Sequence, residues 1–393
     1  MTDVPAKPLV ALACGGTGGH LFPGLAVAEE LRRRQCDALL LISPKAVDQQ
    51  AVRSATGMAI ATLPAVGLTR GGWLKFAVGF WKSFGASRML FRERLPQAVL
   101  AMGGFTCAPP VLAGKACGAA TFLHESNTVP GKANRWLARV VNQAFVGFPV
   151  AASRLRSKSV ETTGTPVRAQ FQPGQAAACR AALGLAPDLP VLLVMGGSQG
   201  ASGINDLVIQ ALPRIVERAP RTQFLHLTGP DDLEKIDQAY RQRGCKAVVR
   251  AFLNEMEWAL GAATVAVSRA GGSSLAELAA MRVPAMLIPY PFAADNHQYH
   301  NARLLVDRGA ALLLEQSTAT PEALAGQILQ LVLDESAHSA MSQAMGSCHT
   351  PQAAGRIADK MLAVIRAMGL WRLDDADVAA GQASLRTPHS ALA

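Results

Sequence analysis

Four glycine-rich turns carry the densest chemistry in this sequence: GGTGGH (15–20), GGF (103–105), GGSQGA (196–201) and RAGGSS (269–274). Each follows a short apolar run, where a strand would give way to a helix. There glycine lets backbone amides approach a ligand closely, and a helix N-terminus favours an anion. Four such turns in one chain imply a phosphate-bearing ligand. GGTGGH lacks the third glycine of GxGxxG and no GxxxxGK[ST] occurs, which speaks against a dinucleotide dehydrogenase and a P-loop NTPase. A second concentration lies at Trp73 to Arg94, with six aromatic residues and five Lys or Arg. As a helix it sets Trp73, Phe76, Phe80, Phe84 and Phe91 broadly on one side, with Lys75, Lys82, Arg88 and Arg92 able to reach lipid phosphates. That is an interfacial membrane signature. The same pattern also fits an ordinary core helix whose basic residues are solvated.

Turns of this kind need strands to end in them. The runs LVALAC (9–14), ALLLI (38–42), AVLAM (98–102), TFL (121–123), VLLVM (191–195), QFLHL (223–227), TVAV (264–267) and AMLIP (285–289) leave room for helices between them. Strands alternating with helices predict an α/β fold with parallel sheets. The amphipathic stretches Gly24 to Arg34 and Asn205 to Arg218 should cover the sheet faces. PLVALACGGTGGH and PVLLVMGGSQG repeat strand, glycine turn and helix roughly 180 residues apart, which predicts two Rossmann-like domains facing each other across a cleft. The turn-rich stretch Glu161 to Gln175 joins them. The expected division is 1–163, then 164–348, a helix over 349–368 packing back across the domains, and a disordered tail over 369–393.

Half of the 393 residues are hydrophobic and 17% are charged, which excludes a disordered or fibrous chain. No run reaches the roughly 18 apolar residues of a spanning helix. MTDVPAKPLV lacks a charged region followed by a long apolar one, so neither a transmembrane nor a secreted protein is expected. Seven scattered cysteines with no CxxC pair suggest neither a disulfide framework nor a zinc site and fit a reducing cytoplasm. The net charge of +10 belongs to the N-terminal part: residues 1–160 hold 19 Lys and Arg against 7 Asp and Glu, the remainder 19 against 21. Such asymmetry points to an anionic partner: nucleic acid, an acidic membrane surface or a phosphorylated substrate.

In order along the chain, GGTGGHxFPGLAVA, GGF, HESN, GTPVR, GGSQGA, SRAGGSSLAEL and PYPFAADNHQxxNA resemble the MurG family of N-acetylglucosaminyltransferases of peptidoglycan synthesis. The resemblance runs from Leu9 to Met368. It implies the GT-B fold and a hexosyltransferase, without a cofactor, that moves GlcNAc from UDP-GlcNAc to undecaprenyl-pyrophosphoryl-MurNAc-pentapeptide with inversion at the anomeric carbon. It also implies a peripheral place on the cytoplasmic face of the inner membrane, in cell-wall biogenesis, cell shape and division. Carried over position by position, the donor-binding residues fall on Thr17, Gly18, Gly19, Asn127, Arg168, Ser198, Leu253, Gly272, Ser273, Ser274, Leu275, Ala276, Glu277 and Gln298. Leu253 would act through its backbone at the uracil edge. Thr165 stands where the family has Asn, and the tail past Trp371 is additional.

Physical reading of the same residues leaves alternatives open. The two oxygens of Glu277 suit a pair of ribose hydroxyls, yet Ser274 and Glu277 also spell a capping box. Asp295 and Gln298 likewise read as an N-cap and its partner three residues on. Arg168 offers a cationic fork, and Ser198 a hydroxyl beside turn amides, for a diphosphate. No DxD-like acidic pair stands near the turns to hold a metal, so helix dipole, amides and Arg168 are expected to stabilise the departing UDP. Inversion needs a base for the attacking hydroxyl: His20, closing the first turn, is the candidate, with His124 and Glu125 as second choice. The implied lipid carrier and the basic first half favour a membrane surface formed by Trp73, Lys75, Phe76, Phe80, Lys82 and Phe84. A sugar-nucleotide 2-epimerase on the same fold is the rival enzyme. A nucleic-acid partner is not expected, because no recognisable module supports one. Whether cell-wall synthesis or division proteins also bind, the sequence leaves open.

Overall fold

A computed structural model describes residues 7–371 except 17, 46, 47, 50, 51, 53–56, 65–71, 198 and 199, and leaves the Trp73 side chain aside. Thr17, Ser198 and the tail beyond residue 371 therefore lie outside the described residues.

The N-terminal sheet contains β1 (Leu9–Ala13), β2 (Asp37–Ile42), β3 (Ala59–Thr62), β4 (Ala98–Ala101), β5 (Ala120–Glu125), β6 (Gln143–Val146) and β7 (Val160–Thr162). Its order is β3-β2-β1-β4-β5-β6-β7, and every pairing is parallel. The second sheet contains β8 (Val191–Met195), β9 (Gln223–Leu227), β10 (Ala247–Arg250), β11 (Val265–Ser268), β12 (Ala285–Leu287) and β13 (Ala311–Leu313), in the order β10-β9-β8-β11-β12-β13, again all parallel. Helices cover both faces, so the central strands are buried on both sides and read as unbroken apolar runs. All eight runs marked in the sequence form strands. The five others are short: β3, β7, β10 and β13 are sheet edges, partly exposed and poor in apolar signal, and β6 is only four residues long.

Strand order reverses between β1 and β4 in one sheet and between β8 and β11 in the other. Crevices at such switch points, beyond the carboxyl ends of the strands, are where open α/β sheets bind ligands. The four glycine turns follow these four strands, one pair per domain.

Two helices shape the surroundings. Ala353–Ala367 returns to the first domain, where Ile357, Ala358, Met361, Leu362 and Ile365 share a core with Leu12, Leu25, Leu40 and Phe122. Trp73–Glu93 is the aromatic-basic helix, and its orientation corrects the sequence reading. Phe80 and Phe84 pack on the domain core and Phe91 is fully buried. Phe76 stacks edge-on against Phe105 at 5.6 Å. The outward stripe is instead Leu74, Val78, Trp81 and Met89, on one helical face, and Leu74 is 79% and Trp81 66% exposed. Lys75, Lys82, Arg88 and Arg92 are exposed beside it.

Candidate active site

In the first domain, Gly15 and Gly16 carry the chain out of β1, and the helix Gly18–Arg33 begins at once. His20 lies in its first turn, with its ring against the turn that follows β4. A Cβ on Gly103, whose φ is +129°, would stand 2.7 Å from His20 Cδ2 and Nε2. Only glycine permits this approach. Burial lowers the His20 pKa, with the Glu125 and Asp48 carboxylates partly opposing it. The imidazole is therefore neutral at neutral pH, the form a base requires. Buried Asp48 holds the turn from below by accepting from Gly16 N at 2.8 Å.

His124 and Glu125 are brought to the same end of the sheet but are fully engaged, which corrects their reading as second-choice catalytic groups. His124 is buried. Its Nε2–H donates to the Gly164 carbonyl at 3.0 Å, which leaves Nδ1 to accept from Ser126 Oγ at 3.3 Å. Burial pushes its pKa down to about 4. Glu125 Oε1 accepts from the backbone and side chain of Asn127, and Oε2 from Gly131 N and Asn134 Nδ2, all at 2.9 Å. Four donors fill a carboxylate. This pair shapes the loop 126–131 and has no capacity left for a substrate proton.

The second domain contributes the helix Gly272–Met281. Its N-cap is Gly271 with no side-chain cap, and Ser274 is the third helical residue. The Ser274–Glu277 capping box is therefore not formed, and Glu277 is left for another task. Its carboxyl is partly buried. Burial raises its pKa to about 7, against the pull of Arg168 and with a push from Glu257. Arg168 is 5% exposed, with its guanidinium carbon 4.9 Å from the Phe22 ring centre and 5.2 Å from that of Phe171. Its nearest carboxylate oxygen is Glu257 Oε2 at 3.7 Å, too far for a hydrogen bond, so Nε and Nη2 are buried without a partner. Leu253 packs at the edge of this domain's core.

Gln298 is not a capping partner either. The helix His297–Val306 starts from Asn296 at φ 51° with no side-chain cap, while Asp295 pairs with Arg135 of the first domain. Gln298 Oε1 accepts from Ala270 N at 3.2 Å and Tyr290 N at 2.9 Å, tying the RAGGSS turn to the next loop. Asn127 Oδ1 accepts from Asn301 Nδ2 at 2.9 Å.

The two switch points touch. Ser273 Oγ donates to the Gly19 carbonyl at 2.6 Å, and a Cβ on Gly272 would fall 2.2 Å from the Ser126 carbonyl oxygen. His20 thus shares one crevice with the amides that open the Gly272–Met281 helix. Gly18, Gly19, Asn127, Gly272, Ser273 and Gln298 surround that contact, and Arg168 and Glu277 belong to the buried charged group behind it. Sequence reasoning missed Asp48 and Asn301. Asp48 lies in an unremarkable stretch, whereas Asn301 was signalled by its place in the DNHQxxNA motif, three residues after Gln298.

Comparison with known proteins gives the chain a family. The glycosyltransferase family 28 N-terminal domain matches residues 10–146 and the glycosyltransferase family 28 C-terminal domain residues 191–357. A relative from Anaeromyxobacter dehalogenans (strain 2CP-1) is 36% identical over 363 residues, 90% of this chain and 92% of its own length. It is named UDP-N-acetylglucosamine--N-acetylmuramyl-(pentapeptide) pyrophosphoryl-undecaprenol N-acetylglucosamine transferase. One of the same name from Geobacter sulfurreducens is 36% identical over 90% of this chain and 98% of its own. Among solved structures, Acinetobacter baumannii MurG superposes with a TM-score of 0.69 at 26% identity, covering 91% of this chain and 99% of that one. S. aureus MnaA with UDP reaches 0.67 at 13% identity over 92% and 97%, a likeness of fold alone.

Proposed function

The chain belongs to glycosyltransferase family 28, and from that premise we infer that it transfers N-acetylglucosamine from UDP-GlcNAc to undecaprenyl-pyrophosphoryl-MurNAc-pentapeptide, inverting the anomeric centre. The product is the lipid-linked disaccharide precursor of peptidoglycan. The observation that carries this reading is the contact of the two switch points, which puts a neutral histidine of one domain beside the anion-favouring helix N-terminus of the other.

His20 takes the proton from the acceptor sugar hydroxyl as its oxygen bonds to the anomeric carbon, and UDP departs with the electron pair of the broken bond. The developing diphosphate charge meets the amides at Gly272 and Ser273 and the Arg168 guanidinium, whose two buried unpaired donors support an anion as the missing partner. Ser198 adds a hydroxyl on the sequence evidence. Glu277 takes the ribose hydroxyls, a role supported by a carboxylate that caps nothing in its own helix. Gly18, Gly19 and Asn127 border the sugar, Thr17 is assigned with them on the sequence evidence, Gln298 fixes the turn beneath it, and the Leu253 backbone borders the uracil. Ser274, Leu275 and Ala276 serve by continuing the helix that presents the amides.

No described helix is long and apolar enough to cross a membrane. The chain sits peripherally on the cytoplasmic face of the inner membrane through Leu74, Val78, Trp81 and Met89, with Lys75, Lys82, Arg88 and Arg92 on anionic headgroups.

The test is radiolabelled GlcNAc transfer from UDP-GlcNAc to an undecaprenyl-pyrophosphoryl-MurNAc-pentapeptide analogue, with and without EDTA. Transfer that survives EDTA is expected. Epimerised or merely hydrolysed UDP-GlcNAc in place of a disaccharide product would overturn the transferase assignment.

A further inference from the structure

We propose that Asn301 is a positioning residue that locks the two domains in the register group transfer requires, an inference resting on the functional reading above. Asn301 is completely buried in the helix His297–Val306 of the second domain. Its Oδ1 accepts from Thr128 N and Thr128 Oγ1, both at 2.9 Å, and its Nδ2 donates to Asn127 Oδ1 at 2.9 Å and to the Ala270 carbonyl at 3.0 Å. An amide has two donors and two acceptor lone pairs, and all four are used. The opposite amide orientation would set its NH2 against the Thr128 N–H, so the partners themselves fix the orientation.

Three of these bonds cross between domains, and each end is anchored in the site. On the first domain, Asn127 Nδ2 continues to Glu125 at the end of β5, whose carboxylate holds Gly131 and Asn134. On the second, Ala270 gives its carbonyl to Asn301 and its N–H to Gln298 Oε1. Both backbone groups of the residue just before Gly271 and Gly272 are thereby held by one helix. The network runs without a break from the strand behind His20 to the turn that aims the helix amides.

Its other cross-domain neighbour, the Arg135–Asp295 pair, has side chains 41% and 42% exposed and adds little in water. Asn301 joins the Ser273–Gly19 bond as a buried element of the closure, and it need touch neither substrate. Reacting groups held on different domains lose about a hundredfold in rate for a misplacement near 1 Å. A lock of this kind belongs to kcat and leaves donor binding to the second domain's own residues.

The experiment compares the full chain with Asn301→Ala by steady-state transfer, UDP calorimetry and small-angle scattering. Expected are a kcat lower by at least about tenfold, a UDP affinity within about threefold of the parent, and a larger radius of gyration with UDP bound. A kcat within about twofold of the parent, or a loss carried wholly by weaker UDP binding, would overturn the lock. Should Asn301→Ala fail to fold, Thr128→Val removes a single bond from the opposite domain. It should lower kcat severalfold without changing UDP affinity, and unchanged kcat would overturn the proposal. Absent transfer by the parent chain would instead count against the functional reading. In that case scattering alone judges the lock, and identical profiles for parent and variant would overturn it.

Discussion

At the scale of residues, the site is decided by which polar groups are already occupied. His20 and His124 belong to the same domain, but His124 has both ring nitrogens committed to Gly164 and Ser126, whereas His20 lies against the Gly103 turn in the first turn of its helix. His20→Ala should therefore lower kcat by about 100-fold to 10,000-fold while UDP affinity, measured by calorimetry, holds. The two perturbed groups separate in pH profiles. His20, lowered by burial, stays a base below the ordinary imidazole range, so the acid limb of kcat should lie below that of a free imidazole. Glu277, raised to about 7 in the free enzyme, should impose an acid limb near pH 7 on kcat/KM for the donor. Glu277 also makes a stability statement. Its folded pKa exceeds the unfolded value, so the native state binds more protons between about pH 4.5 and 7 and loses stability as pH rises through that window. Glu277→Gln should then be more stable than the parent at pH 8, by up to ~3 kcal/mol in unfolding free energy and hence with a higher melting temperature, with no gain at pH 4 and with donor affinity at least tenfold weaker. A helix-capping carboxylate would give the opposite stability change. The sequence alone could not separate these readings, because S-x-x-E is equally a cap and a site. The backbone decided it by starting the helix at Gly272.

At the scale of elements, strand identity was legible wherever a strand is buried on both faces, since such strands are continuous apolar words. The edges were not legible, because half-exposed strands of three or four residues carry no periodicity long enough to read. The helix Trp73–Glu93 is the instructive case. Its aromatic residues were visible but its rotation was not, because a helix between a core and a solvent or lipid face can be apolar on both sides. Phe80, Phe84 and Phe91 face inward, and the leucine-valine-tryptophan stripe faces out. Leu74→Asp with Trp81→Asp should therefore release the chain from anionic vesicles in a flotation assay while leaving the melting temperature nearly unchanged. Phe80→Asp with Phe84→Asp should do the reverse in kind, lowering the melting temperature by burying unpaired carboxylates in the core. Vesicle binding unaffected by the first pair would remove the stripe as the docking face.

At the scale of the whole molecule, the duplicated strand-turn-helix order was readable from the sequence, because each half repeats the same local grammar. The contact between the halves was not, since it depends on pairs such as Ser273 with Gly19 and Asn301 with Thr128 that lie more than 170 positions apart. Gly272 is where that closeness is tightest. Gly272→Ala places a methyl against the Ser126 carbonyl, so the domains must part. The expected result is a loss of transfer of about a hundredfold and an enlarged scattering radius. The returning helix Ala353–Ala367 has a different consequence, one of timing. Because Ile357, Met361, Leu362 and Ile365 complete the packing around β1, β2 and β4, the half of the chain made first by the ribosome is the half finished last. It waits, with an apolar flank open, through the synthesis of an entire second domain. An N-terminal fragment ending before the helix should be aggregation-prone during translation, and the full chain should gain protease resistance in both halves together.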